Sequence, residues 1–161
     1  MKNLILIRHA KSSWEQELPD IQRPLSVRGK SDAHLLSNEF VKHNYTPEVI
    51  FSSPANRAMS TCKVFMENCN YGSHLLNIND ELYDFGGSQV IDFIRHIDDR
   101  YKTVMIFGHN HAFTSVVNRF GDKFIENVPT CGLTILEFNT DSWKNIDEGH
   151  TKMTLFPRDL K

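Results

Sequence analysis

The 161-residue chain lacks most of the patterns that mark metal, redox and nucleotide sites. Its three cysteines, Cys62, Cys69 and Cys131, are odd in number and form no Cys-x-x-Cys pair, so neither a disulfide framework nor a zinc site is indicated. No Gly-x-Gly-x-x-Gly and no Gly-x-x-x-x-Gly-Lys-Ser/Thr occurs, which excludes the usual dinucleotide and nucleoside-triphosphate loops. His109 and His111 have no companion ligand on a shared face, so we expect no metal and no cofactor.

The chain also has no excess of positive charge and no long apolar run. Lysine and arginine number 18 against 20 aspartates and glutamates, for a formal net charge of −2. This balance argues against nucleic-acid binding and against a polybasic membrane anchor. The first apolar run, Leu4 to Ile7, is too short to cross a bilayer or to form the core of a signal peptide. We therefore expect a cytoplasmic protein whose partners include neither nucleic acid nor membrane.

Short, continuous apolar runs alternate with longer stretches of helical periodicity. Runs that are apolar on both faces are typical of strands buried in a parallel sheet. This alternation predicts an α/β fold, a three-layer α/β/α sandwich around a mostly parallel sheet, in one domain spanning residues 1–161. The strand-like runs are Asn3–Ile7, Val49–Phe51 and Val104–Phe107, and the helical stretches centre on Ala33–Val41, Ala58–Met66 and Val90–Ile97.

The C-terminal part changes character. Leu133 to Glu137 and Met153 to Leu155 are strand-like, and the polar stretch Asn139–Gly149 separates them. Two strand-like runs joined by a turn-rich segment indicate an antiparallel hairpin at the C-terminal side of the sheet.

Three helix starts are also indicated. Pro54 is expected in the first turn of a helix capped by Ser52 or Ser53, and Ser31 or Asp32 is expected to cap the preceding helix. Gly86-Gly87-Ser88 is expected to precede the next one. The aromatic rings of Phe85, Phe93, Phe107 and Phe138 are interpreted as core side chains.

Polar residues follow each predicted parallel strand. In an open α/β sheet, ligands bind outside the carboxyl ends of the strands. Helix N-termini add backbone N–H groups and a positive dipole there, and the planar guanidinium fork suits phosphate oxygens. The sequence therefore predicts an anion site at this edge. The residues concerned are Arg8 and His9, then Ser52, Ser53 and Arg57, then Gly108, His109 and Asn110.

These segments resemble the signatures of the histidine phosphatase superfamily, also called the phosphoglycerate mutase-like superfamily. Two further segments resemble its short, SixA-like phosphohistidine phosphatase branch, and all five stand in the expected order. The first motif has Ala10 where the family has glycine. Lys11 and Glu15 stand where mutase relatives carry an acid and an asparagine, so mutase-like contacts are not supported. The five segments are Leu6–Ala10, Asp20–Gly29, Ser52–Ala58 with Thr61, Asp80–Tyr83 and Gly108–Asn110.

The resemblance implies a role for each matched position. His9 is the nucleophile that becomes phosphorylated, and Arg8, Arg57 and His109 grip the phosphoryl oxygens. Glu81 is the candidate proton donor, with Asp84 and Asp20 in reserve. Arg23, Ser52 and Asn110 are expected to line the phosphate site.

Elementary chemistry agrees with these roles. A phosphoryl group in transfer is negatively charged and needs an electrostatic clamp. A neutral imidazole held in one tautomer can attack phosphorus through its other nitrogen, and water then releases inorganic phosphate. An acid would speed departure of an alcohol by roughly 10²- to 10⁴-fold, but the P–N bond of phosphohistidine is already labile.

The sequence therefore predicts a metal-independent phosphatase that works through phospho-His9 and acts on a phosphohistidine-bearing protein. A general phosphomonoesterase of small metabolites is the alternative enzyme. A phosphate-recognition module without turnover is the alternative of another class. The short chain leaves little sequence for a lid, which favours a phosphate on a protein surface over a small phosphoester.

Overall fold

A computed structural model of the chain describes all 161 residues. One six-stranded sheet runs through its centre in the order β3-β2-β4-β1-β5-β6. The strands are β1 Lys2–Arg8, β2 Val49–Ser52, β3 Leu76–Ile78, β4 Thr103–Gly108, β5 Leu133–Phe138 and β6 His150–Leu155. The helices are α1 Val27–Phe40, α2 Asn56–Asn68, α3 Ser88–Arg95 and α4 Ala112–Phe120.

Both faces of the sheet are covered, as the continuous apolar runs predict. Along β1, Leu4 and Leu6 pack on the side of α3 and α4, whereas Ile5 and Ile7 pack on the side of α1 and α2. All four side chains are fully or almost fully buried. The predicted three-layer α/β/α sandwich is confirmed. No helix combines the length and the hydropathy that crossing a membrane requires.

The strand directions also match the prediction. β1, β2, β3 and β4 pair in parallel, and β5 and β6 add an antiparallel hairpin beside β1. The short edge strand β3 was not predicted, because its three residues are too few to show a periodicity. The parallel pairing brings the carboxyl ends of β1, β2 and β4 to the same edge.

Two predicted helix starts are wrong. Helix α1 begins at Val27 with Ser26 as its cap, so Ser31 and Asp32 lie inside the helix. Helix α2 begins only at Asn56, with Ala55 at the cap position and no side-chain cap. Pro54 therefore precedes the helix, and neither neighbouring serine caps it.

Gly29 fixes the loop that connects β1 to α1. The first turn of α1 packs against the backbone of Lys11 so closely that a Cβ at position 29 would lie 2.1 Å from the Lys11 carbonyl oxygen. Only glycine allows this approach. Ser26 reinforces it, because its backbone N–H donates to the same carbonyl at 2.9 Å. The loop that carries residues 9–26 is thus held at the sheet edge.

Candidate active site

Four charged or titratable side chains meet at the carboxyl edge of the sheet. Arg8 ends β1 and His9 follows it, Arg57 lies in the first turn of α2, and His109 follows β4. The rings of His9 and His109 are 5.3 Å apart between centroids, and Arg57 Nε lies 3.3 Å from His9 Nε2. We call these four residues the cationic cup. The three separate loops come together because their strands are adjacent and parallel.

His9 is held in one tautomer. Its Nδ1 lies 2.7 Å from the carbonyl oxygen of Ala10, which can only accept, so Nδ1 carries the proton and Nε2 keeps its lone pair. Burial, together with the charges of Arg57 and Arg8, lowers the pKa of His9 to about 4 against the opposing effect of the Ala10 hydrogen bond. At neutral pH the ring is therefore an uncharged base with Nε2 turned to Arg57.

His109 is fully buried and is oriented by Ser53, which the sequence placed at this edge of the sheet without predicting that contact. Ser53 Oγ accepts from the Ala55 backbone N–H and lies 2.8 Å from His109 Nε2. Because the hydroxyl proton has no other acceptor, we assign it to His109 Nε2, and the ring proton of His109 is then on Nδ1. Burial, followed by the proximity of His9 and Arg57, lowers the pKa of His109 to about 3. The ring is neutral and offers one N–H.

Two donors of the cup have no acceptor in the protein. Arg8 donates from Nη1 to the Val128 carbonyl at 2.8 Å, but its Nε is buried and unpartnered. His109 Nδ1 is likewise buried and unpartnered. Buried donors without acceptors are rare in native proteins, and each one calls for an explanation. Both donors are therefore available to a ligand that accepts hydrogen bonds.

Asp20 anchors the guanidinium of Arg57. Arg57 donates from Nη2 to Asp20 Oδ2 at 2.9 Å and from Nη1 to the Asp20 carbonyl at 2.7 Å. The hydroxyl of Tyr83 donates to the same carboxylate oxygen at 2.5 Å. Although burial opposes it, these donors lower the pKa of Asp20 to about 2. The carboxylate is therefore ionised and positions Arg57 with its Nε toward His9.

Arg23 is connected to the cup through Asp20, to which its Nη1 donates at 3.2 Å, and its expected contact with phosphate stays a prediction. It is almost fully buried, and it donates from Nε to the Ser13 carbonyl at 3.3 Å and from Nη2 to the hydroxyl of Ser12. Its guanidinium stacks on the ring of Trp14, 3.1 Å from the centroid. Its charge contributes to the lowered pKa of His9. Arg23 thus adds positive potential and stiffens the loop.

Ser52 and Asn110 are engaged with their neighbours. The Ser52 hydroxyl donates to the Ser53 carbonyl at 2.9 Å. Asn110 accepts from the hydroxyl of Thr114 at 2.6 Å and donates to Asn127 Oδ1 at 2.7 Å. Both side chains tie loops of the site together, and their expected contact with phosphate stays a prediction.

Glu81 is not brought into contact with the cup. Its backbone N–H donates to Asn79 Oδ1, and its exposed side chain makes no hydrogen bond or ion pair. It lines a cleft of about 600 Å³ together with Phe51, Phe93 and His96, and no residue of the cup lines that cleft. Its role as proton donor stays a prediction.

The carboxylate of Asp84, another candidate proton donor, bonds to the backbone at the start of α3. Its carboxylate accepts only from backbone N–H groups at the start of α3, and these bonds satisfy donors that the first helical turn would otherwise leave free. An acceptor held in this way caps the helix. The donors are the N–H groups of Gly86, Gly87, Gln89 and Val90, at 3.0–3.1 Å.

The cysteines and the possible metal ligands of the chain are also candidates for the site. Burial raises the pKa of Cys62 to about 12, and Cys131 is also buried, so neither presents a thiolate at neutral pH. No group of three His, Cys, Asp or Glu side chains is arranged to hold a metal ion.

The two neutral histidines make stability depend on pH. The unfolded chain binds protons near pH 6.5 at both positions, whereas the folded protein resists protonation until about pH 4 at His9 and about pH 3 at His109. We therefore expect the free energy of unfolding to fall as the pH falls from 7 to 5, by up to about 2 kcal/mol per histidine. Urea unfolding at several pH values measures this loss.

A matched variant isolates the effect. Replacing His109 by glutamine removes one of the two groups, so His109→Gln should show a smaller loss of stability between pH 7 and pH 5 than the wild type. The exposed His43→Ala should lose as much as the wild type. A rise in stability toward pH 5 in the wild type would contradict the neutral state of both rings.

The sequence of the chain is similar to a known family and to an uncharacterised protein. The sequence profile of the histidine phosphatase superfamily (branch 1) matches residues 4–87, just over half of the chain. An uncharacterised chloroplast protein of Arabidopsis thaliana is 28% identical in an alignment 153 residues long that covers 89% of this chain and 69% of that protein.

Two solved structures share the fold. The protein histidine phosphatase SixA in complex with tungstate has a TM-score of 0.83 at 18% identity and covers 99% of both chains. The alpha-ribazole phosphatase of Shigella flexneri has a TM-score of 0.71 at 12% identity and covers 96% of both chains. Profile and fold agree, and so the chain belongs to the histidine phosphatase superfamily (branch 1) and is a phosphatase.

Proposed function

We propose that the protein is a metal-independent phosphohistidine phosphatase in which His9 is the transiently phosphorylated nucleophile. The observation that carries the proposal is the state of the cup. The His9 imidazole is neutral and its unprotonated Nε2 accepts only from Arg57 Nε, while two buried donors of the cup, Arg8 Nε and His109 Nδ1, have no acceptor. The similarity to SixA in fold supports it.

The first step transfers the phosphoryl group to the protein. The lone pair of His9 Nε2 attacks phosphorus in line while the P–N bond to the substrate ring breaks, and its electron pair stays on the departing nitrogen. Arg8, Arg57 and the His109 N–H hold the three oxygens as charge spreads over them. The Ala10 carbonyl accepts from Nδ1 throughout and stabilises the imidazolium that phosphorylation creates.

The leaving group decides between substrate classes. Among the acids considered, Asp20 is ionised and bound to Arg57, Asp84 caps a helix, and Glu81 contacts no cup residue. An alkoxide would need a proton that none of these is placed to give. A phosphohistidine ring protonated on its other nitrogen leaves as neutral imidazole and needs no proton from the enzyme, which favours phosphohistidine over alkyl phosphates.

The second step restores the enzyme. Water attacks phospho-His9, the P–Nε2 bond breaks with its electron pair returning to the ring, and a proton of the water passes to solvent. Inorganic phosphate is released and His9 is neutral again. The positive charge of the cup stabilises both steps, so the reaction should proceed in the presence of a chelator.

Replacing Glu81 by glutamine tests the choice of substrate. We expect Glu81→Gln to change kcat/KM for phosphohistidine by less than about twofold, because the leaving imidazole carries its own proton. A loss of roughly 10²- to 10⁴-fold confined to an alkyl phosphate would identify Glu81 as the acid of a phosphomonoesterase. Both substrates are assayed in parallel with a chelator present.

Asp92 provides the matched control, because it lines the same cleft and is also exposed. Asp92→Asn should change neither rate. A large loss of phosphohistidine hydrolysis in Glu81→Gln, but not in Asp92→Asn, would contradict the proposed absence of acid catalysis.

A further inference from the structure

Two aromatic rings lie beside the cup, and neither has a role in the phosphoryl transfer described above. Tyr83 lies edge-on to the His109 ring at 5.4 Å, and Phe85 lies 5.0 Å from the same ring. The two rings also contact each other edge to face at 5.2 Å. His109 in turn is 5.3 Å from His9. The aromatic pair therefore extends outward from the place where the phosphoryl group would sit.

Phe85 is not the core side chain that the sequence suggested. It is 45% exposed, whereas Phe107 and Phe138 are buried in the two cores. A large apolar side chain that is exposed at the rim of a site favours binding of a ligand that covers it, because the apolar surface is then removed from water. Because Phe85 lies next to His109, the part of the substrate that would pack on it is the leaving group.

The pair is held rigidly on both sides. The Tyr83 hydroxyl donates to Asp20, which also holds Arg57. Asp84 lies between Tyr83 and Phe85 in the sequence. Its carboxylate accepts from four backbone N–H groups at the start of α3, so the segment that carries both rings is fixed to the helix. A preorganised surface loses little entropy when it meets a flat ligand.

We propose that Tyr83 and Phe85 form an aromatic wall that selects planar leaving groups, imidazole foremost, over aliphatic ones. This inference rests on the proposed function and deepens it, since it names the side of the phosphohistidine that the enzyme reads. Aromatic rings in offset or edge-to-face contact attract each other beyond the effect of area burial, and an alkyl chain does not receive this stabilisation. Phe85 is then the specificity residue, and Tyr83 acts also through Asp20.

The test compares substrates that differ only in the leaving group. Phosphohistidine, phospholysine and phosphoramidate all contain a P–N bond, but only the first carries a ring, and the last carries no side chain at all. We expect Phe85→Leu to lower kcat/KM for phosphohistidine about fivefold, because leucine keeps an apolar side chain but removes the ring-to-ring contact. Phospholysine and phosphoramidate should change by less than about twofold. Phe85→Tyr keeps an aromatic ring and should keep the preference of the wild type for phosphohistidine over the two substrates without a ring.

Binding of tungstate separates specificity from damage to the cup. This anion has no leaving group, so Phe85→Leu should bind it as the wild type does. Phe124→Leu is the matched control, because Phe124 is an exposed phenylalanine in another loop, and it should alter none of the rates. An equal loss with all three P–N substrates, weaker tungstate binding, or no loss with phosphohistidine would each overturn the aromatic wall.

Phenyl phosphate separates this inference from the proposed function. It offers a ring on a P–O bond. If the wild type fails to hydrolyse phosphohistidine but hydrolyses phenyl phosphate with the same dependence on Phe85, the proposed function is wrong and the aromatic wall stands. If phosphohistidine is hydrolysed without dependence on Phe85, the proposed function stands and the wall is wrong.

Discussion

Replacing His9 by alanine should lower kcat/KM for phosphohistidine by at least about 10⁴-fold, because the variant has no group that can accept the phosphoryl group. The other members of the cup would still bind the anion, so the loss should fall mainly on kcat. Wild-type protein mixed with excess substrate and quenched in alkali should contain an acid-labile phosphoryl group at His9, whereas His9→Ala should contain none. Rapid quench followed by peptide mass mapping measures both.

The histidine control separates chemistry from folding. His43 is exposed and distant in sequence from every cup residue, and His43→Ala should retain full activity and full phosphorylation. The thermal unfolding of His9→Ala should remain cooperative, since the ring bonds only to the carbonyl of its neighbour Ala10 and to Arg57 Nε, and Asp20 still holds Arg57. Full hydrolysis by His9→Ala would overturn the mechanism.

Replacing Arg57 by alanine should lower kcat by about 10²- to 10³-fold, the usual effect of removing one donor from a transition-state clamp. Lysine should not restore the rate. The Arg57 guanidinium directs Nε to His9 Nε2 and both Nη atoms to Asp20, a set of directions that one ammonium group cannot reproduce. Steady-state kinetics and inhibition by inorganic phosphate measure the loss.

Asp20→Asn distinguishes clamping from positioning. The amide keeps one oxygen for Arg57 but loses the charge, so kcat should fall less than in Arg57→Ala. The exposed Arg100→Ala removes the same side chain from the segment that precedes β4, at the opposite edge of the sheet, and should have no effect. Equal activity of Arg57→Lys and the wild type would show that charge alone is sufficient and would contradict the directional role.

The fold could be predicted because its signals are local. The run from Leu4 to Ile7 is apolar on both faces, and that property indicates a central strand wherever the strand pairs. Arg8, His9 and His109 were identifiable for the same reason, since each directly follows such a run. The errors lie where tertiary contacts decide, as at the start of α2, where neither Ser52 nor Ser53 caps the helix.

The parts of the site that sequence reasoning missed depend on contacts between distant loops. Ser53 looked like a cap, yet its hydroxyl orients His109, 56 residues away. Tyr83 reaches Asp20 across 63 residues, and no spacing in the chain indicates that pair. Phe85 resembled its buried neighbours in composition, and only the outward position of its loop shows that water reaches it.

The position of His9, the proposed nucleophile, beside the central strand limits how the enzyme can lose activity. β1 is paired on both sides, by β4 and β5, and the backbone N–H groups of Arg8 and His9 donate to Gly132 and Gly108. Amides in such a strand exchange with deuterium only through the rarest openings of the molecule. Fraying of the rim therefore leaves the reactive nitrogen in place, and inactivation by heat coincides with the collapse of the whole sheet.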